Sequence, residues 1–382
     1  MLSKRIRGRR TALILNLLLC SAASLAATAT PALAGGSVMR WGSFGLGTAA
    51  PVPTPVAGLS GVKAVLASNA SSYALEANGT VWAWGNNRLG ELGEEIPGSP
   101  FAAVEVPLPL PSGVTATAIG QAEFVGVAID STGHAWAWGL SGPSACMGQF
   151  RGYNMAPTEI PGISEAVQVV GGEHHTVWLL ANGTVETCGD NNAGQLGVAG
   201  ISSSGSPVHV PGLTEVVEVS SAERTSCALT RSGAVYVWGA NSDGQVGNGE
   251  ESASVSTPYH VPLPGPASQV SCGGNIPTDD FTLALVGGQV YGWGADQAGQ
   301  LGENGNEAKE LHPVATGLHF AQIAAGGATS FGLSATGQLY AWGSNFESSL
   351  GTGGTRSSTT PRLIDEGVEQ VWATAHNAVD LH

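Results

Sequence analysis

Seven times along the chain a strand-like run closes on the same two-residue step, at Trp41, Trp84, Trp138, Cys188, Trp238, Trp293 and Trp342, each followed by Gly. Successive steps lie 43 to 55 residues apart. A period of that length suits one small antiparallel sheet per repeat rather than one helix pair, so the architecture is constrained before any single residue is considered.

The repeat unit is clearest where Val216-Val217-Glu218-Val219 leads through a short loop to Ser226-Cys227-Ala228-Leu229. A turn at Ser232-Gly233 then opens Ala234-Val235-Tyr236-Val237-Trp238. Short runs rich in β-branched and aromatic residues, bounded by Gly or Ser, read as successive strands joined by hairpins. Asn78-Gly79, Asn182-Gly183 and Thr336-Gly337 occupy the same turn position, where positive φ favours Gly and Asn. A second fingerprint follows the Trp-Gly step, complete in Gly194-Gln195-Leu196-Gly197, Gly244-Gln245-Val246-Gly247 and Gly299-Gln300-Leu301-Gly302. Its glycines permit tight turns and its apolar residue can tuck beneath the loop. Next comes a Pro-containing run such as Ser206-Pro207-Val208-His209-Val210 or Pro361-Arg362-Leu363-Ile364. Proline lacks a donor, which places this run at the outer edge of a four-stranded sheet.

On these motifs the chain resembles the regulator of chromosome condensation repeat family, in its bacterial exported form, from Val38 to His382. The resemblance implies an all-β, seven-bladed β-propeller of four-stranded antiparallel blades. The chain begins in mid-unit at Ser37-Val38-Met39-Arg40-Trp41 and ends in mid-unit at Leu381-His382. Strands from the two ends are therefore expected to complete one shared blade, which closes the ring and removes two open sheet edges.

With 382 residues, 56 Gly, 42% hydrophobic and only 11% charged residues, the chain reads as one ordered domain, residues 35–382. Residues 1–34 differ in kind. Lys4, Arg5, Arg7, Arg9 and Arg10 precede an apolar stretch from Thr11 to about Leu25, and Ala32-Leu33-Ala34 offers a small-residue cleavage site. This is the pattern of a secretory signal peptide, so a secreted or extracytoplasmic protein with no membrane span after cleavage is expected. Cleavage takes five of the 14 Lys and Arg and leaves nine against 29 Asp and Glu, a net charge of −20. Such a chain repels nucleic acid. The chromatin binding and small-GTPase nucleotide exchange of the family's namesake are accordingly not expected to transfer.

Four cysteines remain, Cys146, Cys188, Cys227 and Cys272. Many exported relatives carry Cys in the second and third strands of one repeat, but the third-strand position opposite Cys227 is Val237. Buried free thiols are expected. No Cys-x-x-Cys pair, Gly-x-Ser-x-Gly elbow, His-Glu-x-x-His or phosphate-binding glycine loop is present in the sequence. No catalytic residue, cofactor or metal ligand is therefore assigned. His174-His175 is a tempting pair, yet His175-Thr176 matches a structural position of the repeat family. Asp190-Asn191-Asn192 resembles the start of a calcium loop but lacks the distal Glu, and reads as an Asn-rich turn.

When the loops between first and second strands are aligned, one position reads Asn69, Glu123, Glu173, Glu223, Asp279, Gly327, Ala375. Four consecutive repeats place a carboxylate there. First strands line a propeller's axis, so these residues should form an acidic arc at one mouth of the channel. Phe124, His174, Arg224 and Asp280 follow them directly and complete the candidate patch. A second candidate is Ala145–Tyr153, where the Gly-Gln-Leu-Gly pattern breaks and Met147, Phe150, Arg151 and Tyr153 stand together. The leading reading is a non-catalytic binding propeller whose loops meet a protein or cell-surface partner with a basic surface. The resemblance supports a binding role, since an exported protein of the same family inhibits β-lactamases, although no loop residue assigns that target here. A polymer-acting lyase or hydrolase using the loop carboxylates, and a structural module of an extracellular assembly, are the other readings.

Overall fold

The computed structural model describes residues 36–43, 49–67, 71–94, 103–122, 124–148, 152–274, 279–302, 308–315, 317–374 and 377–382. The predicted signal segment, Asn69, Glu123, Phe150, Arg151 and Ala375 lie outside the described residues, and so does the side chain of Tyr153.

The chain forms seven four-stranded antiparallel sheets arranged as the blades of a propeller. The first blade comprises Val62–Ala67, Ser71–Glu76, Val81–Gly85 and Val104–Glu105; the second Ala116–Ala122, Val125–Asp130, Ala135–Ser141 and Gly152–Glu159. The third runs through Ala166–Gly171, His175–Leu180, Val185–Asp190 and Ser203–His209; the fourth through Val216–Ser221, Thr225–Thr230, Val235–Asn241 and Ser252–His260. The fifth is Ala267–Gly273, Phe281–Val286, Gln289–Gly294 and Ala308–Val314; the sixth Gln322–Ala325, Thr329–Leu333, Leu339–Gly343 and Ser358–Asp365. Gln370–Ala373 and Asn377–Leu381 from the end of the chain join Val38–Gly42 and Ala50–Pro55 from its start in the seventh. Trp41 pairs with Ala378 across that junction, as the repeat register requires. At the hairpins Gly183 and Gly233 take φ of +79° and +84°, a left-handed conformation that would strain a side chain.

The core is distributed between blades. Each third-strand Trp is buried in the apolar cluster of the preceding blade: Trp138 against Leu66, Tyr73 and Leu92 of the first, Trp238 against Val177 and Val210 of the third. Trp293, Trp342 and Trp41 repeat the arrangement on the fourth, fifth and sixth blades. Five of these indoles, Trp84 excepted, also donate to a loop carbonyl of that preceding blade, for example Trp238 Nε1 to Gln195 O at 2.9 Å, Trp293 to Gln245 O at 2.9 Å and Trp342 to Gln300 O at 2.9 Å. Leu196, Val246 and Leu301 sit buried beneath those loops, as the fingerprint suggested.

The cysteines depart from expectation. They are not free thiols: Cys146 is disulfide-bonded to Cys188 and Cys227 to Cys272, with Cα separations of 5.5 and 6.5 Å. Both bonds join neighbouring blades, the second to the third and the fourth to the fifth. Neither pairing lies within one repeat: packing between blades sets the third-strand Cys188 against the loop of the blade before it, and the second-strand Cys227 against the first strand of the blade after it. Cys188 replaces the repeat Trp and Cys146 lies in the loop that such a Trp would cap, so a covalent bond stands where other blades have an indole hydrogen bond.

Candidate functional site at the channel mouth

Around the axis the innermost strands are tied by side-chain amides. Gln168 Nε2 donates to Val219 O at 3.0 Å while Val219 N donates to Gln168 Oε1 at 3.0 Å, linking the third blade to the fourth. Gln269 bridges to Ile323 and Gln322 to Val371 in the same two-bonded way. Glu218 occupies this column in the fourth blade. It accepts the Val270 N–H, but its Oε2 is buried with no hydrogen-bond partner, and burial pushes its carboxyl well above the usual carboxylate range. A neutral acid here can donate to a carbonyl as a Gln amide does.

Above these bridges, the ends of the first strands line a cavity of about 130 Å³ on the axis, bounded by Gln121, Glu173, Ser221, Glu223, Gly274 and Thr374 among others. Glu173 and Glu223 therefore stand at the channel mouth, where the aligned carboxylate column placed them. Neighbouring loops touch closely: Glu173 N donates to Glu223 O at 3.1 Å. A Cβ on Gly172 would come within 2.1 Å of Ala222 O, so the approach of the two blades demands glycine.

The side chains form a small charged network. Arg224 lies between the two carboxylates, Nε 3.4 Å from Glu223 Oε1 and Nη2 3.7 Å from Glu173 Oε2, with 41% of its side chain exposed. His174 is more open still and pairs with Glu173 at 3.3 Å. Burial, a hydrogen bond to Glu173 and the nearby Asp280 push Glu223 up to about 9 against the pull of Arg224. Glu223 is thus favoured in its protonated form at neutral pH. The rim carries an exposed cation beside Glu173 and a buried Glu223 whose pKa is raised, which can accept guanidinium or ammonium groups but offers them less charge than four free carboxylates would.

Other predicted residues separate from this network. Asp280 is fully buried and accepts the Thr225 hydroxyl at 2.7 Å, so it anchors the fourth blade to the fifth rather than facing a ligand. Burial raises it to about 7. Asp279 remains partly exposed beside it. Phe124 is half-buried with φ +60°. In the second candidate patch Cys146 is consumed by its disulfide, Met147 packs against the core of the second blade, and Gly148 N donates to Gly205 O at 2.8 Å. That part of the loop fastens two blades together.

Two bland readings are sound. His175 is fully buried, contacts Ser226 Oγ at 2.9 Å, and is depressed to about 3 by desolvation and by His174, which keeps it neutral. It opens the second strand instead of lying in the loop. Asn191 is a loop clamp: its amide donates to Val198 O and Ile201 O and its carbonyl accepts from Leu196 N. The Gln and Glu bridges went unread in the sequence, although Gln168, Gln269, Gln322 and Gln370 recur at one strand register, which was the available signal.

Comparison with known proteins is consistent with this architecture. A model of the regulator of chromosome condensation (RCC1) repeat matches residues 182–229, 232–276, 287–333 and 336–376. Over 183 residues the chain is 38% identical to the probable E3 ubiquitin-protein ligase HERC6 of Homo sapiens, a match that takes in 46% of this chain and 17% of that protein. It is 30% identical to protein pim1 of Schizosaccharomyces pombe over 132 residues, 33% of this chain and 24% of the relative. These alignments span about a quarter or less of the relatives' length. Among solved structures, Prp20p of Saccharomyces cerevisiae, described with its binding to Gsp1p and histones, superposes with a TM-score of 0.80 at 20% identity over 91% of both chains. Human WBSCR16 superposes equally well, at 20% identity over 91% of this chain and 98% of its own.

Proposed function

The chain belongs to the regulator of chromosome condensation repeat family, and from that premise we propose that it is an exported, non-catalytic binding propeller that receives a basic segment of a protein or cell-surface partner at the channel mouth. The observation that carries this reading is the rim of the third and fourth blades, where Glu173 and the buried Glu223 line the axial cavity and the more exposed His174 and Arg224 pair with them from beside it. A partner's Arg or Lys can replace Arg224 between the two carboxyl groups. Protein binding at loops carried by a rigid scaffold suits the family: Prp20p is also described bound to Kap60. Export is supported by the basic-then-apolar leader and by two inter-blade disulfides, which persist in oxidising compartments. Acid–base catalysis is less favoured, because Asp280, the other carboxyl raised toward neutrality at this end, is turned inward onto Thr225.

Affinity capture from culture medium with tagged residues 35–382 tests the proposal. A stoichiometric protein partner should be retained at low salt and lost when Glu173 and Glu223 are both changed to Gln. Equal capture by the folded variant would remove the rim from the functional account.

A further inference from the structure

The seventh blade carries a departure from the repeat that its closure does not need. At the second-strand position opposite the residue two before the Trp-Gly step, the first six blades have Ala74, Ala128, Trp178, Ala228, Ala284 and Gly332. The seventh has Asp380, paired with Met39 and fully buried. A lone carboxylate in an interior is costly unless a cation meets it. Asp380 faces two further ligand-type side chains, His382 of its own blade and Asp365 across the seam with the sixth. His382 Nε2 lies 3.4 Å from Asp380 Oδ1 and 3.4 Å from Asp365 Oδ2. All three ligand atoms fall within 4.8 Å of one another.

From this geometry we infer a site for a divalent transition metal of the zinc type, held by Asp365, Asp380 and His382. Three observations support it. First, the fully buried Asp380 carboxylate meets only the Met39 N–H and the 3.4 Å approach of His382, and neither its oxygens nor His382 Nε2 makes a short, well-aligned hydrogen bond. Secondly, the 3.4 Å separations are long for N–H···O hydrogen bonds but match the edge of a tetrahedron whose metal–ligand bonds are about 2.1 Å. Thirdly, the ligands are already oriented. Asp365 Oδ1 accepts the Glu366 N–H at 2.8 Å, which turns Oδ2 toward His382, and His382 N donates to Ser37 O at 3.0 Å. The side chains of Asp365 and His382 are 22% and 20% exposed, so the cluster lies just beneath the surface with Asp380 at its inner end.

One imidazole with two carboxylates favours zinc, cobalt or nickel over calcium or magnesium, which take all-oxygen shells. Because Asp365 belongs to the outer strand of the sixth blade, and Asp380 and His382 to the closing blade, a bound metal fastens the last seam of the ring.

The test uses the untagged full chain, stripped with chelator, titrated calorimetrically with Zn2+ and, in parallel, with Co2+ followed by its visible ligand-field bands. One saturable equivalent with Kd at or below about 10 µM, a rise in Tm, and no response to Mg2+ are expected. Asp365→Asn and Asp380→Ala should each weaken binding by about tenfold or more. The Asp380→Ala variant installs the residue that four other blades already use, so it should fold, as circular dichroism will report. Absence of saturable binding, or binding unchanged in both variants, would reduce the cluster to an ordinary ion pair and overturn the inference.

Discussion

At the scale of single residues, the most telling substitution is Glu218. In the third, fifth and sixth blades a Gln at this register makes two hydrogen bonds to the backbone of the next blade, but Glu218 must be protonated to do the same. Its folded-state pKa is raised above the unfolded value, so the folded state holds the extra proton between the two. Stability is therefore fullest below about pH 4.3 and falls as pH rises toward the folded pKa. Glu218→Gln should remove that slope, raising stability by about 1–3 kcal/mol at pH 8 and little at pH 4. Urea unfolding at the two pH values will check it, and an equal effect at both would contradict a protonated bridge. Glu173 and Glu223 were legible as equivalent positions because the repeat sets their register. What the sequence could not convey was their surroundings: neither the raised pKa of Glu223 nor the inward turn of Asp280 follows from residue type, since both arise from contacts with neighbouring blades.

At the scale of elements, blade-to-blade fastening follows one plan with one exchange of parts. Five indoles, those of Trp41, Trp138, Trp238, Trp293 and Trp342, cap the loop of the preceding blade. Between the second and third blades the Cys146–Cys188 disulfide takes that place. Both halves of the contact changed together: the Trp became Cys188, and the Gly-Gln-Leu-Gly loop became Ala145-Cys146-Met147-Gly148. The strands and turns were readable from alternation and from Asn-Gly steps, since those signals are local. The disulfides were not, because Cys146 and Cys188 lie 42 residues apart and meet only when blades stack. Replacing both cysteines by Ser should lower stability by about 2–4 kcal/mol. The measurement is the urea midpoint with and without reductant: reductant should lower the wild-type midpoint, and the double variant should retain only the sensitivity of Cys227–Cys272. A double variant as stable as wild type would show that packing alone joins these blades.

At the scale of the whole molecule, the ring is closed by strands from both ends of the chain, and its apolar core is divided among the seams between blades. This explains why most of the conspicuous residues are structural: the Trp, Asn and Gly signals each serve a seam or a loop. On the proposed reading, function is left to the loops at the rim, where the repeat tolerates change. The direct question is whether the mouth itself, and not the general acidity of a chain with 29 Asp and Glu, recognises a basic partner. Glu165 and Glu215 offer a control, because they are exposed acids at the opposite ends of the inner strands of the same two blades. Fluorescence anisotropy of a labelled oligo-arginine peptide should show the Glu173→Gln, Glu223→Gln double variant binding at least about tenfold more weakly than wild type, with the Glu165→Gln, Glu215→Gln variant unchanged, a loss of about 1.4 kcal/mol or more at the mouth alone. Equal weakening in the two variants, or none in either, would contradict the assignment of the binding site to the channel mouth.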